Sequence, residues 1–334
     1  MTHRLPESYH ARPAEAGDIP KLAALDAAYT TNLFGRALVT EGEIRTEWKA
    51  PHFDPQRDAR VIVAPDDLIV AWAEVYDFAP HVLLSSKLRV LPQNVPPEVP
   101  EYLITWCIER AKAAIDQAPP PARVVFRQAA FEDDRRANQR LLAAGLEPVR
   151  VFLRMQIEMH EPPVTPVWPE EIQVRAMVPG VDDVAAVRAI REIFRDHWGY
   201  VETPFEEDLA EWKQWIHEDD DFDTDLWFLA MDGDQIAGFC QCYPVAGDDP
   251  RIGLIDELGV RRSHRGQGLA TALLLHAFGS FYKRGKPIVE LGVDAESLTG
   301  ATRLYEKVGM KLVRRNNLYE LELRPGNDIT TSNL

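Results

Sequence analysis

The chain has 334 residues, of which 46% are hydrophobic and 27% are charged; this composition is typical of globular domains, and the length is sufficient for two of them. The sequence contains no apolar run of 18 residues, which excludes a membrane-spanning helix, and its net charge of −16 argues against nucleic acid as the main partner. The first residues lack an apolar signal core and the three cysteines are too few for a disulfide scaffold, so we expect a cytoplasmic protein.

The first half of the chain predicts two helices, a hairpin, a long strand and then alternating helices and strands. Arg12 precedes an acidic helix start at Asp18, and apolar residues follow at helical spacing. The stretch "ARVIVAPDDLIVAWAEV" predicts a hairpin with its turn at Asp66–Asp67. Near the end of this half, the helix "ANQRLLAAGL" is closed by Gly145.

The second half repeats this order at an offset of about 164 residues, which indicates a duplication. Arg175 again precedes an acidic helix start, a hairpin turn is predicted at Asp232–Gly233, and the last helix is closed by Gly309. The proline-rich segment 159–171 predicts a linker. We therefore expect an α/β (α+β) protein with two tandem domains, each a mixed twisted sheet flanked by helices; their predicted boundaries are 1–158 and 172–325, followed by a flexible tail at 326–334.

Two cysteines lie close together in the hairpin of the second half. Cys240 and Cys242 are two residues apart and share one face of the predicted strand. A metal site needs more thiolate or imidazole ligands than the surrounding sequence offers. The pattern therefore favours packing, and we expect no metal.

A glycine-rich turn, "RGQGLA" at residues 265–270, lies between the predicted strand "GLIDELGV" and the predicted helix "TALLLHAFGSFY". Such a turn directs several backbone N–H groups toward one point at the positive end of a helix dipole, where an anion can bind. The spacing matches neither the dinucleotide-binding G-x-G-x-x-G pattern nor a P-loop. The corresponding stretch of the first half, "LPQNVPPEVP", has prolines, which lack N–H donors, so we expect the first half to have lost this site.

The motifs of residues 250–323 resemble the GCN5-related N-acetyltransferase family. Its R/Q-x-x-G-x-G/A signature is matched at Arg265, Gly268 and Ala270. Its A-x-x-L-Y-x-x-x-G-F/M segment is matched by "ATRLYEKVGM" at residues 301–310. A tandem pair with a degenerate first copy is similar to the mycothiol synthase group of this family.

The resemblance implies that acetyl-CoA is the cosubstrate. Backbone groups of Leu258, Gly259 and Val260 would bind its pantetheine arm, although Gly259 could instead mark a β-bulge. Its diphosphate would bind the segment from Arg265 to Thr271, which comprises Arg265, Gly266, Gln267, Gly268, Leu269, Ala270 and Thr271.

Acetyl transfer to an amine requires a group that accepts a proton and a group that donates one. The resemblance implies that Tyr305 donates a proton to the leaving thiolate. Many relatives have a glutamate base where this chain has Leu254. Strand alternation would place Asp256 on the face of Leu254 and Glu257 on the opposite face, so we predict Asp256 as the base. Leu298 is a second departure, since relatives often have asparagine at that position.

Eleven acidic residues lie within residues 202–225, the region expected to form one wall of the acceptor site. A negative wall would attract a cationic amine, although a solvated acidic surface is the simpler interpretation. His197 and Trp198 lie in the same region and could contact the acceptor or serve the fold alone.

Together these features predict an acyltransferase. It would be an acetyl-CoA-dependent N-acetyltransferase that acts on a small cationic amine by direct transfer in a ternary complex. Two alternatives remain open: acetylation of a cysteinyl aminosugar, as in the mycothiol synthase group, and a non-catalytic acyl-CoA sensor.

Overall fold

A computed structural model describes residues 4–50, 52–218, 222–297 and 300–331. The chain forms two compact units. The first unit contains Met1–Val151 and Arg315–Ile329, and the second contains Phe152–Arg314 and Thr330–Leu334. Within the described residues, every helix is too short or too polar to cross a bilayer.

The first unit is an α/β structure around a six-stranded sheet. The sheet order is β1-β2-β3-β4-β5-β12, where β12 is Lys311–Arg324, and β4 and β5 are its parallel pair. Its elements are β1 (His10–Pro13), α1 (Ile19–Phe34), α2 (Glu41–Trp48), α3 (Pro55–Asp58), β2 (Ala59–Val63), β3 (Ile69–Asp77), β4 (Leu83–Val90), α4 (Glu98–Lys112), β5 (Val124–Phe131), α5 (Arg135–Ala143) and the first part of β6 (Glu147–Glu158).

The second unit repeats this plan. Its sheet order is β6-β11-β10-β9-β8-β7, and β10 and β11 are its parallel pair. Its elements are the rest of β6, β7 (Ile172–Ala176), α6 (Asp183–Phe194), α7 (Phe205–Glu218), β8 (Trp227–Asp232), β9 (Gln235–Tyr243), β10 (Ile252–Val260), α8 (Leu269–Lys283), β11 (Ile288–Asp294), α9 (Ala301–Lys307) and the start of β12 (Lys311–Arg324).

Helix α8 shows why the second unit folds as the sequence predicts. Leu269, Leu273, Ala277 and Phe281 recur every four residues and are all buried, so they form the apolar stripe that packs a helix on a sheet. Phe281 lies so close to β10 that a Cβ on Gly253 would approach its ring to 2.3 Å. Glycine at position 253 therefore lets the helix approach the strand.

The boundaries of the units differ from the predicted ones because each unit takes in a strand from the neighbouring stretch of sequence. Residues 152–158 of β6 pair with β11 in the second unit, and residues 316–324 of β12 pair with β5 in the first. The predicted linker 159–171 has no helix or strand and falls within the second unit. The predicted tail is hydrogen-bonded at Asn327, to Arg123, and at Thr331, to Tyr200.

Candidate active site

Strands β10 and β11 separate halfway along their length. They pair in parallel from Ile252 to Ile255, opposite Ile288 to Leu291. Beyond this point β10 pairs only with β9 and β11 only with β6, among the residues that the structure describes. Unpaired backbone groups on such an inner edge can bind an extended ligand. Residues 258–260, predicted to bind the pantetheine arm, lie on this separated stretch.

Gly259 is required by packing against α6. A Cβ at this position would lie 2.3 Å from Cγ2 of Ile193, a distance that no real contact shows, so the helix could not approach a larger residue as closely. The alternative interpretation of Gly259 as a β-bulge does not hold, because the register shift in β10 lies between Ile255 and Glu257.

The loop before α8 has the geometry of an anion cradle. Gly266 and Gly268 have φ values of 78° and 84°, a left-handed conformation that glycine adopts without a steric cost. A Cβ at either position would meet no atom within 4 Å, so the space above them is open. In the described part of the chain, the N–H groups of residues 266–271 have no acceptor. At the start of a 15-residue helix, these donors and the helix dipole favour a bound phosphate.

The side chains of the loop differ in their exposure to solvent. Leu269 is buried, whereas Ala270 and Thr271 are half-buried. Gln267 is exposed, and its side-chain amide lies 3.4 Å from the carbonyl oxygen of Ser263.

Arg265 holds the loop in place. Its Nε donates to the carbonyl oxygen of Val260 at 3.1 Å, its Nη2 to that of Ile193 at 3.2 Å, and its Nη1 to the Asp196 carboxylate at 3.0 Å. Partial burial disfavours ionisation of Asp196, but the hydrogen bonds from Arg262 and Arg265 outweigh it and lower the pKa of that carboxyl. Arg265 therefore ties the loop to α6 and β10, and its charge is partly neutralised by Asp196.

Tyr305 lies on α9 and is only 7% exposed. Burial, with a smaller effect from nearby Cys240, raises its pKa to about 12. Its hydroxyl has no hydrogen-bond partner among the described residues. A phenol in this state keeps its proton at neutral pH and can donate it. Leu298, the other predicted departure in this region, lies outside the described residues.

A β-bulge in β10 changes the assignment of the two acidic residues. Ile255 pairs with Cys242 and Glu257 pairs with Gln241, so Asp256 is the extra residue at the register shift. Such an insertion interrupts the regular alternation of side chains along a strand.

The prediction that Asp256 lies on the same face as Leu254 is therefore wrong. Leu254 pairs with Tyr243, and Glu257 pairs with Gln241 two residues away on β9. Directly opposed residues share a face of the sheet, and so do residues two apart on one strand. It is therefore Glu257 that shares the face of Leu254, while Asp256 is exposed at the bulge.

Glu257 is the most perturbed of the acidic groups near the strand separation. Burial, followed by the negative charge of Asp256, raises its pKa to about 7. It makes no hydrogen bond or ion pair with any residue that the structure describes. A half-buried carboxyl with this pKa suits a general base at neutral pH. The two adjacent acids were visible in the sequence, but the bulge that orients them was not.

The predicted acidic wall is partly neutralised. Asp208 pairs with Arg191, and Asp223 pairs with Arg284. Residues 219–221 of this segment lie outside the described residues, and Glu206 and Glu207 are exposed.

His197 packs against a neighbouring aromatic ring. Its ring lies edge-on to Phe194, with 4.4 Å between the ring centroids. Burial and the charge of Arg265 lower the pKa of His197, which favours the neutral imidazole. Trp198 is half-buried.

The first unit has the same strand separation without the rest of the site. Strands β4 and β5 pair only as far as Ser86, but Arg89 occupies the position of Gly259. Arg89 donates to the buried Asp26 at 2.7 Å and lies 5.2 Å from the ring of Tyr29. Helix α4 begins after Pro97 and carries acidic residues in its first turn. These features support the prediction that the first copy lost its phosphate site.

The known proteins to which the chain is similar are acetyltransferases. Residues 187–310 match the Acetyltransferase (GNAT) family. The chain is 32% identical over 162 residues to a mycothiol acetyltransferase of Streptomyces scabiei, and 33% identical over 187 residues to one of Thermobispora bispora. These matches cover 48% and 53% of this chain and 49% and 59% of the relatives, so the chain spans about half the length of the curated relatives it matches.

Two solved structures match over nearly the whole chain. A GCN5-related N-acetyltransferase from Sphaerobacter thermophilus is 33% identical, with a TM-score of 0.81, and the match covers 99% of this chain and 100% of that one. A tandem GNAT protein from the clavulanic acid biosynthesis pathway is 14% identical, with a TM-score of 0.73 over 96% of this chain and 100% of that one; it shows a shared fold. The chain belongs to the GCN5-related N-acetyltransferase family.

Proposed function

We propose that the protein is an acetyl-CoA-dependent N-acetyltransferase that transfers acetyl directly to a small amine. The observation that carries this proposal is the row of unpaired N–H groups at residues 266–271, at the start of α8 and directly after the separated end of β10. Residues 265–271 would hold the diphosphate, and 258–260 the pantetheine arm. Acetyl-CoA supplies the activated acetyl group.

Glu257 and Tyr305 would carry out the two proton transfers of the reaction. The carboxylate of Glu257 accepts the proton of the amine as its nitrogen attacks, and the phenol of Tyr305 protonates the departing thiolate. Asp256, the base predicted from the sequence, would act on Glu257 instead, because its charge contributes to the raised pKa of that carboxyl. Asp256 remains the alternative base.

Two classes of molecule are candidates for the acceptor. The acidic residues on α7 favour a small cationic amine. The relatives named mycothiol acetyltransferase favour acetylation of a cysteinyl aminosugar. We also propose a cytoplasmic location, since Cys107, Cys240 and Cys242 are free thiols, as expected in a reducing compartment.

Calorimetry with acetyl-CoA, combined with acetyl-transfer assays on the wild type, Glu257→Gln and Asp256→Asn, tests the proposal. We expect binding by all three proteins, with the larger loss of transfer in Glu257→Gln. A larger loss in Asp256→Asn would restore Asp256 as the base. Binding without transfer to any amine would favour a sensor, and absence of binding would refute the proposal.

A further inference from the structure

Three polar side chains line up across neighbouring strands of the second unit. Trp227 on β8 and Glu257 on β10 both lie opposite Gln241 on β9. Directly opposed residues share a face of the sheet and place their Cβ atoms about 5 Å apart. We call Trp227, Gln241 and Glu257 the polar row.

The polar row makes no hydrogen bond through its side chains to any residue that the structure describes. Trp227 is 3% and Gln241 is 4% exposed, and the Nε1–H of Trp227 is fully buried without an acceptor among those residues. Within the described ranges, neither the Gln241 amide nor the Glu257 carboxyl makes a hydrogen bond. Most buried polar groups in proteins are paired, and leaving one unpaired is costly. Although Glu257 is only half-buried, the alignment of three such polar groups on one face points to a ligand.

The surroundings of the polar row are aromatic and apolar. Trp215 of α7 stacks on Trp227, with 5.2 Å between ring centroids and an interplanar angle of 29°. Trp227 and Gln241 line a pocket with room for little more than a water molecule, together with Trp212 and Ile190, and Glu257 lies outside this lining. A few polar groups within apolar walls are the usual composition of a small-molecule site.

The first unit shows that the fold does not require this arrangement. Glu74 and Lys87 occupy the positions of Gln241 and Glu257. Trp48 donates its Nε1–H to Glu74 at 2.5 Å, and the Tyr76 hydroxyl donates to Glu74 at 2.7 Å. Lys87 pairs with Glu47 at 3.2 Å. The same positions are therefore internally satisfied in the first unit and left open in the second.

We propose that the polar row binds the acceptor, and that the acceptor is an amine with a hydroxyl or carboxamide group on the neighbouring carbon. This inference rests on the proposed function. The amine would lie at Glu257, and its neighbouring polar group at the Gln241 amide, which can both donate and accept. Adjacent strands are about 4.8 Å apart, a separation that two polar atoms on neighbouring carbons can bridge with one hydrogen bond each.

A matched pair of amines tests the proposal: trans-2-aminocyclohexanol and cyclohexylamine, which differ by one hydroxyl. We expect the wild type to prefer the amino alcohol at least about tenfold in kcat/KM, because the amine without hydroxyl leaves Gln241 unpaired. In Gln241→Leu this preference should fall toward one. Gln173→Leu, at an exposed position of β7, is the matched control and should keep the preference.

The outcomes separate this inference from the proposed function. Calorimetry with acetyl-CoA and thermal melting verify that each variant is folded, and Gln241→Met is the substitute if Gln241→Leu does not fold. An unchanged preference in the folded variant, a preference for cyclohexylamine, or acetyl-CoA binding without acetylation of the amino alcohol would overturn the inference. Absence of acetyl-CoA binding by the wild type would instead refute the proposed function.

Discussion

Replacement of Glu257 by Gln should stabilise the second unit above neutral pH while it abolishes most of the activity. The pKa of Glu257 is about 7, against an ordinary value of 4.5. The folded protein therefore holds this proton more tightly than the unfolded chain, so stability falls as the pH rises from 4.5 through 7. A difference of about 2.5 in pKa corresponds to about 3 kcal/mol. Gln imitates the protonated acid and avoids this cost.

The sign and the pH dependence of this effect can be measured by urea unfolding. The difference in unfolding free energy between Glu257→Gln and the wild type should be near zero below pH 4.5. It should grow through pH 7 and level off at about 3 kcal/mol above it. Glu306→Gln, at an exposed position of α9, is the control and should show no such growth. A difference that is independent of pH, or a variant less stable than the wild type at pH 8, would refute the reasoning.

Three further substitutions have defined outcomes. Gly268→Ala should cost about 1 kcal/mol of stability, because its φ of 84° strains a side chain, and should weaken acetyl-CoA binding by calorimetry. Gly279→Ala, within α8 and with open space around it, should do neither. Tyr305→Phe should bind acetyl-CoA normally and lower kcat at least tenfold, without loss of stability in thermal melts. Asp256→Asn should remove a like charge and move the acidic limb of the pH–rate profile to below about 7, since Glu257 must be ionised to act.

The conformation of the glycine-rich loop before α8 was predictable from the sequence because its cause is local. Two glycines with left-handed backbone, followed by a helix with leucines at helical spacing, need no knowledge of distant residues. The hairpin turns were predictable for the same reason: Asp67 and Gly233 both have positive φ at the predicted turn positions. Local chemistry also correctly indicated two similar α/β units.

The features that the sequence did not reveal all depend on pairing between distant segments. The bulge at Asp256 is defined by the register of β10 against β9, and a single extra residue reverses which acid shares a face with Leu254. The strands β6 and β12 reach their partners across long stretches of sequence. Gly259 was predicted to contact the pantetheine arm, with a β-bulge as the alternative, and the sequence did not reveal that the close approach of Ile193 requires a glycine there.

Comparison of the two units links stability to activity. In the first unit, Arg89 fills the space beside the separated strands, and the buried carboxylate of Glu74 is satisfied by Trp48 and Tyr76. In the second unit the corresponding positions are a glycine beside open backbone and a row of unpaired polar groups. Unpaired buried groups lower stability, and both units contain them; those of the polar row are the ones that the proposed acceptor would complete. The cost that Glu257 imposes on folding and its proposed role as a base therefore have one origin: a carboxyl held in an apolar site without a partner.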